Sequence, residues 1–240
     1  MNDVSRRNFV FLSSGAIAGN MMVGGLAEAQ EHQDHDHHLD FSHSGLVTGK
    51  PKALKHESIP GFLSAEQIAP HHTAHYGGAL KGYTAADTRI EEAAKSGTPL
   101  DAAAYDALKR AVSSKGNSVV LHEMYFDGLA PQAPAPAADA RTAIEKRFGS
   151  IEKWSDDFIA SAKSAAGWAM LVKHPVSGKL YNVVSDEHAM GVLWMATPLV
   201  VCDTYEHAFY IDYQNRKAEY VEKFIDHIDW SEVNSRYQTV

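Results

Sequence analysis

The sequence has a single cysteine, Cys202, among its 240 residues. One thiol excludes an intramolecular disulfide, so the fold must stand on its core alone. Its place in the apolar run Leu199 to Cys202 marks it as a buried thiol rather than a nucleophile. Basic residues are outnumbered by acidic ones, 22 to 30, for a net charge of −8. An acidic chain is a poor ligand for a phosphate backbone, which argues against nucleic acid as a partner. A long hydrophobic run is missing too. The most apolar stretch, within SRRNFVFLSSGAIAGNMMVGG, is too short and too rich in glycine to span a bilayer stably. What is present is 45% hydrophobic and 22% charged residues, the composition of a globular chain long enough for one core or two small domains.

The organisation follows from composition shifts. Arg6 and Arg7 precede the apolar stretch, and Ala27-Glu28-Ala29 closes it in the form of a cleavage site, so residues 1–29 read as a Tat-type export signal. The expected destination is the periplasm or another exported location, with no membrane association after cleavage. Next comes EHQDHDHHLDFSHS, rich in histidine and carboxylates and unable to bury a core. Residues 30–55 are therefore expected as a flexible tail, one with the chemistry for loose metal binding. Residues 56–130 are helical in pattern, 131–139 are a Pro/Ala linker, and 140–240 mix helices with strands. Ser64 and Gln67 have the spacing of a capping box opening the first helix. A second helical segment over 100–126 is expected to break around Lys115-Gly116-Asn117. Ala140 to Phe148 and Ile151 to Ser164 read as helices. Pro175 to Gly178 marks a hairpin between two β-rich runs, and Leu199 to Cys202 adds a third strand.

The residues that carry chemistry sit at the junctions. Asp203 ends the third strand and His207 lies four residues on, so a carboxylate and an imidazole can face one point, a pairing that suits manganese or iron. His71 and His75 fall on one helical stripe, four residues apart, and His122 lies on the second helical segment.

DTYEHAFYIDYQNR resembles the signature D-x-W-E-H-A-[YF]-Y-[LI]-D-Y-x-N of the iron/manganese superoxide dismutases. HHTAHYGGA resembles that family's H-[HY]-x-x-H-x-x-x-[YF], SVVLHEMYFDGLAP resembles its W-N-H-x-[FL]-[FY]-W-x-x-L-x-P, and GWAMLV its G-[WF]-x-W-L-V. The resemblance implies an α+β protein, a long α-hairpin followed by an α/β domain with a three-stranded antiparallel sheet. It implies His71, His122, Asp203 and His207 as ligands to one iron or manganese ion per subunit, and superoxide as substrate, converted to oxygen and hydrogen peroxide. It implies a homodimer in which Glu206 and His207 bridge to each other's copies and His75 meets Tyr210 of the partner subunit, with Trp168 as a wall of the metal pocket. Counting back from ATPLVVCD, His188 takes the place of the glutamine that manganese members set against the metal-bound solvent; the corresponding position on the second helix of iron members is Ser118. Other departures are Ala79 for the aromatic gate, Val120 and Met170 for two tryptophans, Leu121 for an asparagine, Tyr205 for the tryptophan of the signature, and Lys217 beside Arg216 for an arginine. They leave a second expectation, a metal-binding protein on the same scaffold without catalysis.

Overall fold

The computed structural model describes residues 40–97, 100–136 and 138–239. The export signal and the first part of the histidine-rich tail lie outside the described residues. The expected flexible tail does not extend to residue 55. Residues 40–55 form a strap against the helices that follow, with a short helix α1 (Gly45–Thr48) capped by Ser44. The Gly45 N–H donates to Glu123 Oε1 at 2.7 Å, and the Tyr76 hydroxyl donates to the same oxygen at 2.7 Å while accepting from the Lys52 N–H. A Cβ on residue 45 would lie 2.9 Å from both Leu80 and the Tyr76 hydroxyl, so only glycine lets the backbone come this close. Lys52 and Lys55 then pair with Asp127 and Asp229. Composition marked the histidines as solvated but gave no sign of partners some eighty residues away.

The first half is a helical hairpin. Helix α2 (Ala65–Pro70) runs into a π-helical turn (His71–Tyr76) and on into α3 (Gly77–Ser96), which returns as α4 (Ala102–Asp127). Ser64 caps α2 by accepting from the Gln67 N–H, but the reciprocal half of a capping box is absent because the Gln67 side chain points elsewhere. Helix α4 is continuous through Gly116, contrary to the expected break. A Cβ there would lie 3.3 Å from the Tyr83 ring, and one on Gly82 of α3 would lie 3.4 Å from the Lys115 chain. Both glycines serve the close approach of two helices, an economy that outweighs their propensity cost of about 1 kcal/mol each.

Helices α5 (Ala138–Phe148) and α6 (Ile151–Ser164) lead to three strands, β1 (Trp168–His174), β2 (Lys179–Ser185) and β3 (Thr197–Asp203). The sheet order is β2-β1-β3, antiparallel throughout, with the β1–β3 register shifting between Leu171 and Val172, where β3 carries the extra residue Leu199. Central β1 is buried from Trp168 to Val172, as a strand covered on both faces should be. The chain ends in α7 (Tyr210–Tyr213), α8 (Lys217–Ile225) and α9 (Trp230–Gln238). One contiguous core runs through both halves. Phe62 from the first half stacks on Tyr220 at 5.4 Å, and buried Arg236 of α9 donates to the carbonyls of Leu199 on β3 and Met124 on α4. A helical first half followed by a three-stranded antiparallel sheet is the α+β class expected. Its consequence for the site is that the end of β3 meets the last third of α4 and the start of the π-turn.

Candidate metal centre

Four side chains from four elements converge there. His71 opens the π-turn, His122 lies in the last third of α4, Asp203 is the final residue of β3, and His207 sits in a 3-10 turn (Glu206–Ala208). Their ligand atoms all lie within 4.8 Å of one another. Asp203 Oδ2 is the hub, 3.0 Å from His71 Nε2, 3.1 Å from His207 Nε2 and 3.7 Å from His122 Nε2. Two donors at roughly 2.0–2.2 Å from one first-row cation stand about 3.0 Å apart at a right angle and about 3.6 Å apart at 120°. The observed spacings suit a cation's ligand shell, and the two shorter ones equally suit hydrogen bonds from His71 and His207 to Asp203.

The tautomers point the same way. His122 Nδ1 donates to the Ser118 carbonyl at 2.7 Å, which leaves Nε2 as a lone pair, buried and without a hydrogen-bond partner. That lone pair faces a carboxylate oxygen, acceptor against acceptor, and only a positive charge between them relieves the repulsion. Burial opposes ionisation of Asp203, but hydrogen bonds from His207 and His71 outweigh it and hold the carboxyl well below its usual range. Burial lowers the pKa of His71, and it lowers His122 to about 3. His71 and His122 are thus held neutral beside an ionised Asp203, and a cation would take the place of the protons that the His71 and His207 Nε2 atoms now direct at Oδ2.

Neighbouring residues fix the four in place. Asp203 Oδ1 accepts from the Tyr205 N–H at 2.9 Å, turning Oδ2 inward, and the Tyr220 hydroxyl donates to the Asp203 carbonyl. The Gln67 amide donates to the His207 carbonyl at 2.6 Å and accepts from the Ile211 N–H, clasping the 3-10 turn. His207 is sandwiched between His75, 3.8 Å away and nearly parallel, and Tyr205 at 5.2 Å. Phe126 covers His71 at 4.8 Å, and the Trp168 ring stands edge-on to His122 at 5.1 Å. The Trp168 indole N–H donates to His188 Nδ1 at 2.9 Å, and the His188 ring is 6.4 Å from that of His122.

The sequence-derived residues therefore divide. His71, His122, Asp203 and His207 come together as a cluster, with His75, Trp168 and His188 around it. Tyr210 stands apart at the surface, 49% exposed. Gln67, read only as a cap, is the functional position that motif reading missed; its spacing of four residues from His71 was the available signal. The π-turn also alters the simple helical register expected for His71, His75 and Ala79.

Fold and site together define an α+β protein with a buried centre of three histidines and one aspartate fitted to a single first-row cation. Residues 136–236 match the C-terminal domain of the iron/manganese superoxide dismutases. Similar curated proteins include superoxide dismutase (Fe) of Cupriavidus metallidurans, 34% identical over 80% of this chain and 96% of that protein. Superoxide dismutase (Fe) of Aquifex aeolicus is 36% identical over 77% of this chain and 88% of its own length. Superoxide dismutase (Mn) 2 of Haloferax volcanii is 31% identical over 78% and 94%. The chain belongs to the iron/manganese superoxide dismutase family, a family of oxidoreductases.

Proposed function

We propose that the protein is an exported superoxide dismutase holding one manganese or iron ion per chain on His71, His122, Asp203 and His207. The observation that carries this reading is the orphaned His122 Nε2 facing the Asp203 carboxylate. When bound, such an ion supplies one-electron chemistry, taking an electron from one superoxide to release oxygen and returning it to a second, which with two protons becomes hydrogen peroxide. The chain's own residues set the conditions for it. Neutral His71 and His122 beside one carboxylate keep the centre's charge low, and the aromatic walls shield those three from bulk water. Because Trp168 occupies His188 Nδ1, the His188 proton sits on Nε2, where it is a neutral hydrogen-bond donor beside the centre. His188 thus takes the donor role of a glutamine, and the amide's fixed chemistry is replaced by a group that can titrate.

A second reading, metal binding without turnover, is favoured by specific observations at the approach. Ala79 is buried and carries no phenol, Tyr76 is committed to Glu123, and Tyr83 packs on Gly116. Lys217 donates to the Ala165 carbonyl and Arg216 to Glu219, so both nearby cations are engaged. Superoxide decay measured on metal-free protein reconstituted separately with manganese and with iron decides between the two. Turnover per bound metal with either ion is the expected result; tight binding with decay no faster than the metal-free chain would sink the dismutase. Export through Arg6 and Arg7 is tested by cell fractionation, in which Arg6→Lys with Arg7→Lys should strand the protein in the cytoplasm. The homodimer through Glu206, His207, His75 and Tyr210 is supported by the exposure of Glu206, Tyr210 and Ile211 beside the centre.

A further inference from the structure

Beside the metal centre lies a cavity of about 150 Å³ between α4, the sheet and the loop from 186 to 196. Its walls are aliphatic, with Val120 and Leu121 of α4 and Met170 of β1 among them, and its polar lining is confined to His188 and Asn117. Val120 and Met170 stand where the motifs quoted above carry tryptophan, so the missing indoles and the cavity coincide. The loop is held against it at some cost. Glu187 and His188 both have positive φ, 49° and 63°, in a region that non-glycine residues enter at about 1–3 kcal/mol each. Asn117 keeps the loop there by donating to the His188 carbonyl at 2.9 Å. His188 is therefore a shared wall, lining the cavity while its ring stands 6.4 Å from that of His122.

A mostly aliphatic cavity of this volume, open at its mouth past Val192, has room for a single aromatic ring. Two polar groups at one end fix the orientation of an occupant, as in small-molecule sites generally. We propose that this cavity binds a small, mostly apolar molecule about the size of one aromatic ring, whose single hydroxyl-type head lies against His188 and Asn117. Entry is past Val192, which lines the cavity and is 46% exposed. Occupancy is sensed by the Trp168–His188 hydrogen bond, a step that rests on the placement of His188 beside the metal centre argued above.

Phenol is the probe, with toluene as its headless counterpart, titrated into the full chain both metal-free and metal-loaded. Binding is read from the NMR signals of the Trp168 indole N–H and the His188 ring. Phenol should shift both saturably while leaving Trp154 and Trp230 unmoved, and it should bind more tightly than toluene. Met170→Trp and, independently, Val192→Phe fill the cavity from inside and from the mouth, and each should weaken phenol at least tenfold. Shifts that rise linearly without saturation overturn the proposal, as does equal binding by both filling variants with their folds intact. A chain that binds phenol saturably yet never consumes superoxide would sink the dismutase reading and leave the cavity assignment standing.

Discussion

At the scale of single residues, His188 and Asp203 carry separable predictions. The ordinary imidazole titrates near 6.5, and burial lowers His188 below that. The sign follows: His188 stays neutral through neutral pH, and its protonation places a second N–H against the Trp168 indole only as pH falls below about 6.5. Activity per bound metal should be flat above that pH and decline beneath it. His188→Gln should remove the acid decline while keeping fold and metal, and His188→Ala should lower turnover more than metal content. Stopped-flow decay normalised to metal analysis checks both; a parent and two variants alike in rate and pH response would make His188 a bystander. Asp203→Asn keeps the shape but not the charge of the hub. Removing one partner from a buried charged arrangement costs about 3–5 kcal/mol, so metal content should collapse while the sheet, read by circular dichroism, persists. Sequence motifs located the four clustered residues because metal chemistry fixes residue type and spacing. They could not locate the tautomers, since His122 depends on its own helix backbone and His188 on an indole twenty residues away.

At the scale of elements, the site depends on a π-turn and a helix contact that periodicity did not reveal. The π-turn from His71 to Tyr76 inserts one residue into the helical register, a feature found preferentially at functional sites. Within it His71 reaches the metal cluster and Tyr76 turns to Glu123. Deleting the exposed Thr73 should restore an ordinary helix, keep helical content and abolish metal binding. Unchanged metal content in that deletion would show that the turn is incidental. Gly116→Leu tests the other contact, because its side chain must displace the Tyr83 ring lying 3.3 Å from a bare Cβ. A loss of about 1–3 kcal/mol is expected from such overpacking, measured by denaturant unfolding of the metal-free chain. Helices and strands were legible because their apolar periods are local. Both errors at Gly116 and at residues 40–55 arose where a glycine's use depends on what another element brings against it.

At the scale of the whole molecule, the chain buries its core fully but leaves one of its four clustered side chains partly open. Among the four clustered side chains, His71, His122 and Asp203 are at most 1% exposed, whereas His207 is 18% exposed. Its stacking partner His75 is exposed as well, yet burial still lowers its pKa to about 4, with His207 and His71 adding to the effect. Histidines held below their unfolded pKa take up protons more readily when unfolded. The metal-free protein should therefore lose stability as pH drops from about 6.5 toward 4, by up to about 1.4 kcal/mol per pH unit from buried His122 and by much less from solvent-screened His75, a decline visible as a falling Tm. Bound metal should hold the Tm until the ligands themselves protonate. The face that leaves His207 open also carries exposed Glu206, Tyr210 and Ile211, a carboxylate, a phenol and an aliphatic side chain around an uncovered imidazole. A second copy related by a twofold axis would set the partner's Glu206 against His207 and the partner's Tyr210 against His75, closing both centres with one symmetric contact. Glu206→Ala leaves the monomer's core untouched, so in sedimentation over a dilution series it should shift the equilibrium toward monomer and reduce metal content together. A variant that sediments as the parent does and retains full metal would mean that His207 is not covered by a second copy through Glu206.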